Sequence, residues 1–465
     1  MADRAHVGSD ASDANDADMS YRIAEALERA GMPSGDLQGR VALVESVVAD
    51  FEQTTGHAPA WVWWVPGRIE LFGKHTDYAG GRSLVAAVPR GFAVAAAPRA
   101  DGRVVARDAR GPVDMQCVPT DETAVFKGWT NYIAVVARRL VRNFPAADLG
   151  TDIVFGSDLP RAAGASSSSA LVVGVALALI RRAALTDRPD WRDAITSRLE
   201  LAGYLGAVEN GLTFGALAGT SGVGTHGGSE DHTAILNARP EAFSAFSYVP
   251  VRPIGAAILP PGWRFVVMPS GVEASKAGEA LASYNRASLA TRALTEVWSR
   301  HVGVPAATLS AALAAAARAG IGMDEAIAAQ RHADFSPEDL KTRLAHFVEE
   351  DGRIPLALDA IRRSDAAALG ELSAGTQRDA DALLRNQIPE TNALAQAARE
   401  TGAFAASSFG AGFGGSVWAM VPAEDAVAFA NRWHARYLET CSPPRPVTAF
   451  VARPAPPATE LVFSE

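Results

Sequence analysis

Three turns in this sequence carry residues whose types and spacing could bind phosphate or sugar hydroxyls. The first, residues 66–81, mixes hydrogen-bond donors and acceptors: Arg68, Glu70, Lys74, His75, Thr76 and Asp77. It is not a phosphate-binding P-loop, because five residues rather than four separate Gly67 from Gly73, and His75 stands where Ser or Thr would hold magnesium. The mixture can hydrogen-bond several hydroxyls of a small polyol, although it is also typical of a solvated loop.

The second turn, residues 156–170, leads into an apolar segment with helical character. It contains Gly164, Ala165 and four consecutive serines, Ser166, Ser167, Ser168 and Ser169. Glycine allows close backbone approach, and a helix N-terminus offers unpaired N–H groups and the positive end of its dipole to an anion. A hydroxyl at this place can also ligate magnesium that bridges two phosphates. Serine favours helix caps too, but four serines exceed what one cap requires, so the turn predicts phosphate binding.

The third turn, residues 407–416, contains glycines at the spacing of a dinucleotide-binding fingerprint, Gly410, Gly412 and Gly415. That fingerprint must follow a strand and open a helix, whereas residues 417–421 have the pattern of a strand. A glycine-rich turn between two strands can instead press against a ligand or an adjoining loop, with a plain tight hairpin as the alternative.

Carboxylates that could take part in catalysis lie between the second and third turns. Asp231 could accept a hydroxyl proton during phosphoryl transfer, or orient that hydroxyl. Glu209 could supply an oxygen ligand to magnesium, while His226 and His232 match no familiar metal-ligand spacing. Each acidic residue alone is also compatible with an ordinary surface position.

The elements that must position these residues alternate between strand and helix. Patterns of apolar residues predict two helices within 21–51, strands at 61–65 and 91–98, a helix at 130–144, a strand at 152–155, a helix at 170–182, a strand at 264–268, mostly helix over 276–400, a strand-turn-strand-helix run over 403–438 and a last strand near 447–452. This mixture predicts an α+β protein with a domain boundary near residues 240–260. Residues 1–20 are small, polar and acidic, and they predict a disordered tail.

Composition excludes several classes of protein. The net charge of −9 over 465 residues argues against a general nucleic-acid binder, and two cysteines are too few for a disulfide scaffold or a cysteine-built zinc site. The first residues lack the basic start and apolar core of a signal peptide, and the longest apolar run, 170–180, is too short to span a bilayer. We therefore expect a cytoplasmic protein without nucleic-acid or membrane partners.

In their order along the chain, these segments resemble the GHMP small-molecule kinases and, within them, the galactokinases. The first is similar to the galactokinase signature Gly-Arg-x-Asn-Leu-Ile-Gly-Glu-His-Thr-Asp-Tyr-x-x-Gly, the second to the phosphate loop Pro-x-x-x-Gly-Leu-Ser-Ser-Ser-Ala-Ala, and the third to Gly-x-Gly-x-Gly-Gly. Residues 129–132, 283–286 and 388–392 resemble three further motifs, Trp-x-Asn-Tyr, Tyr-Asn-x-Arg and Pro-Glu-x-Asp. The resemblance spans about residues 60–425.

The resemblance implies a two-domain α+β GHMP kinase fold. Its N-terminal domain, residues 21–250, would be ribosomal protein S5-like, and its C-terminal domain, residues 251–465, would be ferredoxin-like. ATP, Mg²⁺ and a sugar would bind in the cleft between them, in a monomer or weak homodimer. The roles implied are Asp231 and Arg68 in catalysis; Arg68, Glu70, Lys74, His75, Asp77, Asp231 and Tyr284 in sugar binding; Gly164, Ala165, Ser166, Ser167, Ser168, Ser169, Gly410, Gly412 and Gly414 in ATP binding; and Ser168 and Glu209 in Mg²⁺ binding.

Departures from the family pattern put the identity of the sugar in question. Lys74 replaces the signature Glu, which in galactokinases contacts the hydroxyl at the sugar's C6. A carboxylate accepts hydrogen bonds whereas an ammonium only donates them, so a C6 carboxylate, as in galacturonate, would suit Lys74. Lys74 could instead donate to O6 of galactose or pair with Glu70, which replaces Asn. His232 replaces the Gln that follows the catalytic Asp.

The leading hypothesis is therefore ATP- and Mg²⁺-dependent phosphorylation of galactose, or a close relative, at its anomeric hydroxyl. One alternative is a uronic-acid kinase acting on galacturonate. A kinase for an isoprenoid alcohol fits less well, because the polar residues 75–77 would not suit an apolar substrate. A regulator that binds sugar and ATP without turnover is a further alternative, which the retention of Ser168, Glu209 and Asp231 disfavours.

Overall fold

The computed structural model of the protein describes residues 9–160, 164–274 and 278–463. The helices in these ranges are α1 (Ser9–Ala30), α2 (Leu37–Thr55), α3 (Trp129–Asn143), α4 (Ser167–Arg182), α5 (Pro189–Ala194), α6 (Arg198–Asn210), α7 (Glu230–Asn237), α8 (Gly278–Val302), α9 (Leu309–Ala319), α10 (Met323–Ala329), α11 (Pro337–Arg362), α12 (Ala366–Ala382), α13 (Pro389–Glu400) and α14 (Ala426–Thr440). The strands are β1 (Trp61–Phe72), β2 (Arg82–Pro98), β3 (Val104–Asp108), β4 (Asp114–Cys117), β5 (Thr151–Ser157), β6 (Ala242–Ser247), β7 (Arg252–Ile258), β8 (Trp263–Pro269), β9 (Ala405–Phe409), β10 (Ser416–Pro422), β11 (Phe450–Ala452) and β12 (Thr459–Glu460). The α+β class that the sequence predicts is confirmed.

Strand β1 is the central element on which the first half of the chain is built. Successive side chains of a strand point to opposite faces. Val62 and Trp64 accordingly pack in one hydrophobic cluster with α1 and α2, whereas Trp63 and Val65 pack in another with α4. Burial on both faces explains the continuous apolar run at 61–65. The strand continues beyond this run to Phe72, so residues 66–72, predicted as part of a turn, are paired with β2; irregular register on either side of Arg68 and Glu70 accommodates them.

Two sheets divide the strands. The first has the order β12-β1-β2-β5-β3-β4, with β6 joined to β2 and β7 joined to β6, and the second has the order β11-β8-β10-β9. The chain passes from the first sheet to the second between β7 and β8, at residues 259–262. Its last strand, β12, returns to the first sheet and pairs with β1.

The second sheet and a layer of helices cover the remaining core. One face of the second sheet packs against α13 and α14, with Phe429 and Trp433 fully buried. Its other face, with Phe265 and Trp418, joins the main cluster of the first half. Helices α8 to α11 form a separate apolar cluster that reaches Ala79, within the first predicted turn.

Helix α1 occupies much of the segment predicted as a disordered tail. Residues 9–20 belong to this helix, and residues 1–8 lie outside the described residues. The helix continues without Gly or Pro into a face on which Met19, Ile23 and Leu27 pack against the cluster around Trp64. Alanines in the first turns favour helix, so the polar composition did not prevent its extension.

No helix in the described part of the chain is long and apolar enough to cross a membrane.

Candidate active site

One cavity of about 670 Å³ brings the predicted site residues together. It lies where β1, the N-termini of α4 and α7, and the turn between β9 and β10 meet. The predicted residues that line it are Arg68, Glu70, His75, Asp77, Gly164, Ser166, Ser167, Ser168, Ser169, Glu209, Asp231, Tyr284 and Gly410. Its size is in the ordinary range for a small-ligand site. Residues far apart in sequence thus form a single candidate site.

An arginine–aspartate pair lies at the acidic end of this cavity, defined here by Arg68, Glu70, Asp77, Glu230 and Asp231. Arg68 Nε donates to Asp231 Oδ1 at 2.8 Å, and Nη2 lies 2.6 Å from the same oxygen. Arg68 Nη1 donates to the carbonyl oxygen of Gly164 at 2.5 Å. Burial alone would lower the pKa of Arg68, but the surrounding carboxylates, first Asp231, outweigh it and raise that pKa. The guanidinium therefore stays charged and ties the second turn to Asp231.

Local structure explains why these two side chains meet. Arg68 and Glu70 are two residues apart on β1, so they project from the same face of the strand. Helix α7 begins at Glu230, which puts Asp231 in its first turn. A carboxylate is stabilised there by the positive end of the helix dipole.

The serines of the second turn form the start of α4. Ser166 precedes the helix with φ +57°, and the helix begins at Ser167. Ser169 Oγ donates to Glu209 Oε2 at 2.9 Å and lies 3.3 Å from Asp231 Oδ2. This hydroxyl links the carboxylate predicted for magnesium to the carboxylate predicted for catalysis. Ala165 is buried and does not line the cavity; its carbonyl accepts the backbone N–H of Arg68.

Residues of the 73–81 loop contribute His75 and Asp77 to the cavity wall. His75 Nδ1 lies 2.9 Å from the Tyr78 hydroxyl, and its Nε2 lies 3.1 Å from the carbonyl oxygen of Ala411. Asp77 Oδ2 accepts the backbone N–H of Glu230 at 3.0 Å, and burial raises the pKa of Asp77. Tyr284 packs edge-on against His75, with ring centroids 5.1 Å apart. The loop is thus bonded to the helix start that carries Asp231.

Lys74 lies behind the cavity wall rather than in it. Its side chain is fully buried, and Nζ donates to Ser407 Oγ at 3.1 Å and lies 3.9 Å from Glu70 Oε1. The sequence predicts Lys74 among the sugar-binding residues, but the cavity lining does not include it. The reason is the loop geometry: Gly73 and His75 both have positive φ, and the chain between them turns the lysine toward the second sheet.

Two backbones approach closely at Gly164 and Gly410, both of which have positive φ. A Cβ atom on Gly410 would lie 2.9 Å from the carbonyl oxygen of Gly164, and one on Gly164 would lie 3.1 Å from that of Phe409. The turn between β9 and β10 therefore presses on the serine turn, as the sequence predicts for Gly410. Gly412 and Gly414 do not line the cavity; they pack against Asn386 and against the backbone of residues 272–273.

Substitution of Gly410 by alanine tests this contact. We expect Gly410→Ala to push the two turns apart and to raise the KM for nucleotide about tenfold, because the Cβ would meet a backbone oxygen rather than a flexible side chain. Gly56→Ala is the matched control, since Gly56 has nearly the same φ, +79° against +81°, but nothing within 4 Å of its Cβ position. Steady-state kinetics of both variants separate the clash from the backbone strain. Equal nucleotide KM values in the two variants would contradict the contact's role.

An aromatic end of the cavity, formed by Phe92, Trp129, Phe155 and Leu159, was not predicted as a binding region. Trp129 and Phe155 pack edge to face with centroids 5.3 Å apart, and Phe92 lies 6.0 Å from Phe155. The signal available in the sequence was the Trp-Thr-Asn-Tyr motif that begins at Trp129. Phe92 and Phe155 come from neighbouring strands, and only the pairing of β2 with β5 brings them together.

Helix α11 holds the 73–81 loop from the side opposite the cavity. Glu350 Oε1 accepts the backbone N–H groups of Gly73 at 2.8 Å and Lys74 at 3.2 Å. Its Oε2 accepts from Thr376 and from Arg353. Glu350 is fully buried and lies far from the loop in sequence, so no local pattern of residues indicated this contact. Arg343 adds a hydrogen bond to the carbonyl oxygen of His75 at 2.5 Å.

Comparisons with known proteins agree with this geometry. Three family models match the chain in order: the galactokinase galactose-binding signature over residues 49–98, the GHMP kinases N terminal domain over 131–213 and the GHMP kinases C terminal region over 357–439. The galactokinase of Chloroflexus aurantiacus is 29% identical over 400 residues, covering 83% of this chain and 90% of the relative. That of Streptomyces coelicolor is 29% identical over 391 residues, covering 82% and 90%.

Solved structures give the same fold. The galactokinase of Lactococcus lactis, crystallised with galactose, superposes with a TM-score of 0.71 at 23% identity, covering 90% of this chain and 99% of that one. The mevalonate kinase of Methanococcus jannaschii superposes with a TM-score of 0.53 at 14% identity, covering 84% and 97%. The predicted two-domain fold is thus confirmed.

These matches to the N-terminal and C-terminal domains of the GHMP kinases support a kinase of the GHMP class. Within it, the signature match and the curated relatives make this protein a galactokinase-like, ATP-dependent sugar kinase. The resemblance seen in the three turns is confirmed. The alternatives of a uronic-acid kinase and a non-catalytic regulator are not favoured, because the relatives named above are galactokinases.

Proposed function

We propose that this protein transfers the γ-phosphoryl group of ATP to the anomeric hydroxyl of galactose or a close relative. The observation that carries the proposal is the Arg68–Asp231 pair in one cavity with the serine turn. In the reaction the O1 oxygen of the sugar forms a bond to the γ-phosphorus, and the bond between that phosphorus and the β–γ bridging oxygen breaks. The products are ADP, a sugar 1-phosphate and the proton lost from O1.

Asp231 orients the sugar hydroxyl and accepts its proton, either early or late in the phosphoryl transfer. Its carboxylate already lies within hydrogen-bond distance of Arg68 and near Ser169, so its position is fixed before substrate binds. Arg68 supplies positive charge next to the oxygens that gain negative charge in the transition state. Because both groups are held by the fold, they contribute electrostatic stabilisation with little reorganisation.

The two ends of the cavity suit the two substrates. The acidic end, with Glu70 and Asp77, provides acceptors for sugar hydroxyls. The aromatic end provides an apolar surface for a nucleobase, and the serine turn lines the same cavity. The first turn of α4 offers backbone N–H groups for phosphate oxygens.

Mg²⁺ fits the oxygen donors that Ser168 and Glu209 present in the cavity wall. Mg²⁺ in kinases takes one or two protein oxygens and otherwise phosphates and water, so it needs no complete protein cage. The described residues contain no group of three or more His, Cys, Asp or Glu side chains able to hold a metal. When bound, the ion would neutralise charge on the β- and γ-phosphates.

ADP release with a panel of sugars tests the proposed function. We expect turnover with ATP, Mg²⁺ and galactose, its loss when EDTA removes the metal, and at least tenfold lower kcat/KM with glucuronate and arabinose. The product should be identified as a 1-phosphate by phosphorus NMR. Absence of ADP release with every sugar, in protein that binds ATP, would contradict the proposal and favour the regulator.

A further inference from the structure

Two charged departures from the galactokinase signature, Glu70 and Lys74, form one buried charge pair. Lys74 Nζ lies 3.9 Å from Glu70 Oε1, and the two side chains are at most 4% exposed. Lys74 is further fixed by Ser407, while its backbone N–H is held by Glu350. The ammonium therefore faces Glu70 on one side and the second sheet on the other, and it has no route to a ligand in the cavity.

Glu70 is the member of the pair that reaches the cavity. It lines the wall beside Arg68 and Asp77, and it projects from the same face of β1 as Arg68. Its Oε1 faces Lys74 and is buried without a hydrogen bond, since 3.9 Å to Lys74 is beyond hydrogen-bond distance, and the Glu230 side chain hydrogen-bonds to the same carboxyl group. A buried carboxylate with an incomplete set of hydrogen bonds is costly, and a hydroxyl donor from a ligand at the cavity side of Glu70 would reduce that cost.

The charges at the acidic end do not favour an anionic substrate. Four carboxyl groups, Glu70, Asp77, Glu230 and Asp231, line it, and the cation among them is Arg68. Arg68 is already bonded to Asp231. Burial, followed by repulsion from Glu70, raises the pKa of Glu230 well above its usual value, so this carboxyl favours its neutral form. A sugar carboxylate placed here would meet further negative charge and no unpaired cation.

We propose that Glu70 is a specificity-determining residue that accepts a hydrogen bond from a hydroxyl of a neutral sugar, and that Lys74 positions Glu70. The inference rests on the proposed function and refines its substrate class. Compared with the family signature, the carboxylate has moved from position 74 to position 70, and the lysine balances its charge from behind. The site consequently selects neutral galactose-like sugars over galacturonate.

Lys74 acts through Glu70 by keeping it ionised. Burial raises the pKa of Glu70 to about 7, and Lys74 is the largest of the opposing influences that lower it. Without the lysine, the carboxyl group would lose its nearest counter-charge and favour the protonated form. A protonated Glu70 would accept hydroxyl hydrogen bonds more weakly, since bonds to a charged acceptor are the stronger ones.

Equilibrium binding of galactose and galacturonate, measured by calorimetry without nucleotide, tests the proposal with Glu70→Gln, Lys74→Met and the double variant. We expect the wild type to bind galactose at least tenfold more tightly than galacturonate. Glu70→Gln should bind galactose about tenfold more weakly and discriminate less between the two sugars. Lys74→Met should also weaken galactose binding. In the double variant the fold-loss of galactose affinity should be smaller than the product of the two single fold-losses, because neither charge is then left without its partner.

Glu349→Gln and Lys341→Met are matched controls, since both residues are exposed on α11 and the chemical changes are the same. Nucleotide affinity and the melting temperature should stay close to those of the wild type in Glu70→Gln, which separates a sugar contact from loss of folding. Unchanged galactose affinity and unchanged discrimination in Glu70→Gln would overturn the proposal, as would preference of the wild type for galacturonate. Sugar binding without turnover would contradict the proposed function alone, whereas binding of neither sugar would contradict both.

Discussion

Asp231→Asn will remove most of the turnover and leave ATP binding nearly intact. Asparagine has the same shape and can still accept a hydrogen bond from Arg68, but its amide cannot take up a proton. We expect kcat to fall about 10²- to 10⁴-fold, the usual contribution of a positioned acid or base. The affinity for a fluorescent ATP analogue should stay within about threefold, because Asp231 is not one of the aromatic residues proposed to contact the nucleobase.

The control for this experiment is Asp190→Asn. Asp190 also pairs with an arginine, Arg188, but on the exposed surface beside α5. It should keep wild-type kcat and melting temperature. If Asp231→Asn retained more than about a tenth of the wild-type kcat, Asp231 would not have the role we give it.

Glu350→Ala will destabilise the protein and weaken sugar binding. The substitution leaves the backbone N–H groups of Gly73 and Lys74 without their acceptor and removes a buried partner of Arg353. Removing one partner of a buried ionic group costs about 3–5 kcal/mol. We expect urea unfolding to show a loss of that size, with a lower midpoint and an unchanged m value.

A second measurement separates positioning from stability. Glu350→Gln keeps one acceptor oxygen for the loop, so it should recover part of the stability and part of the galactose affinity. Glu349→Ala, one residue away on the exposed face of α11, should change neither. A loss below about 1 kcal/mol in Glu350→Ala would show that the loop does not depend on this carboxylate.

The parts of the site that sequence could predict are those in which local residue order carries the chemistry. The serine turn before an apolar helix predicted α4, although the helix begins at Ser167 rather than at residue 170. Arg68 and Asp231 were predicted from motifs. Successive side chains of a strand point to opposite faces, and this alternation along β1 directs Arg68 toward Asp231. The apolar run at 61–65 predicted a strand because only a strand buried on both faces needs such a run.

The parts that sequence could not predict depend on contacts between distant elements. Lys74 was predicted to bind the sugar because it stands in place of the signature Glu, but it does not line the cavity. The direction of its side chain is set by positive φ angles on both sides and by Ser407 on β9, which no local pattern encodes. In the sequence, nothing distinguishes Glu350 from the other residues of a long helix. Its role comes from the packing of α11 against the 73–81 loop.

The return of β12 to the first sheet has a consequence for folding during synthesis. Residues 459–460 pair with Trp63 and Trp64, and Leu461 donates its backbone N–H to Val62. Ala455 and Ala458 bond in the same way to Ala87 and Ile235. The half of the chain made first therefore leaves the ribosome with an unpaired sheet edge, which only residues synthesised some 400 positions later can cover. Until then that edge is exposed to misassembly with other nascent chains.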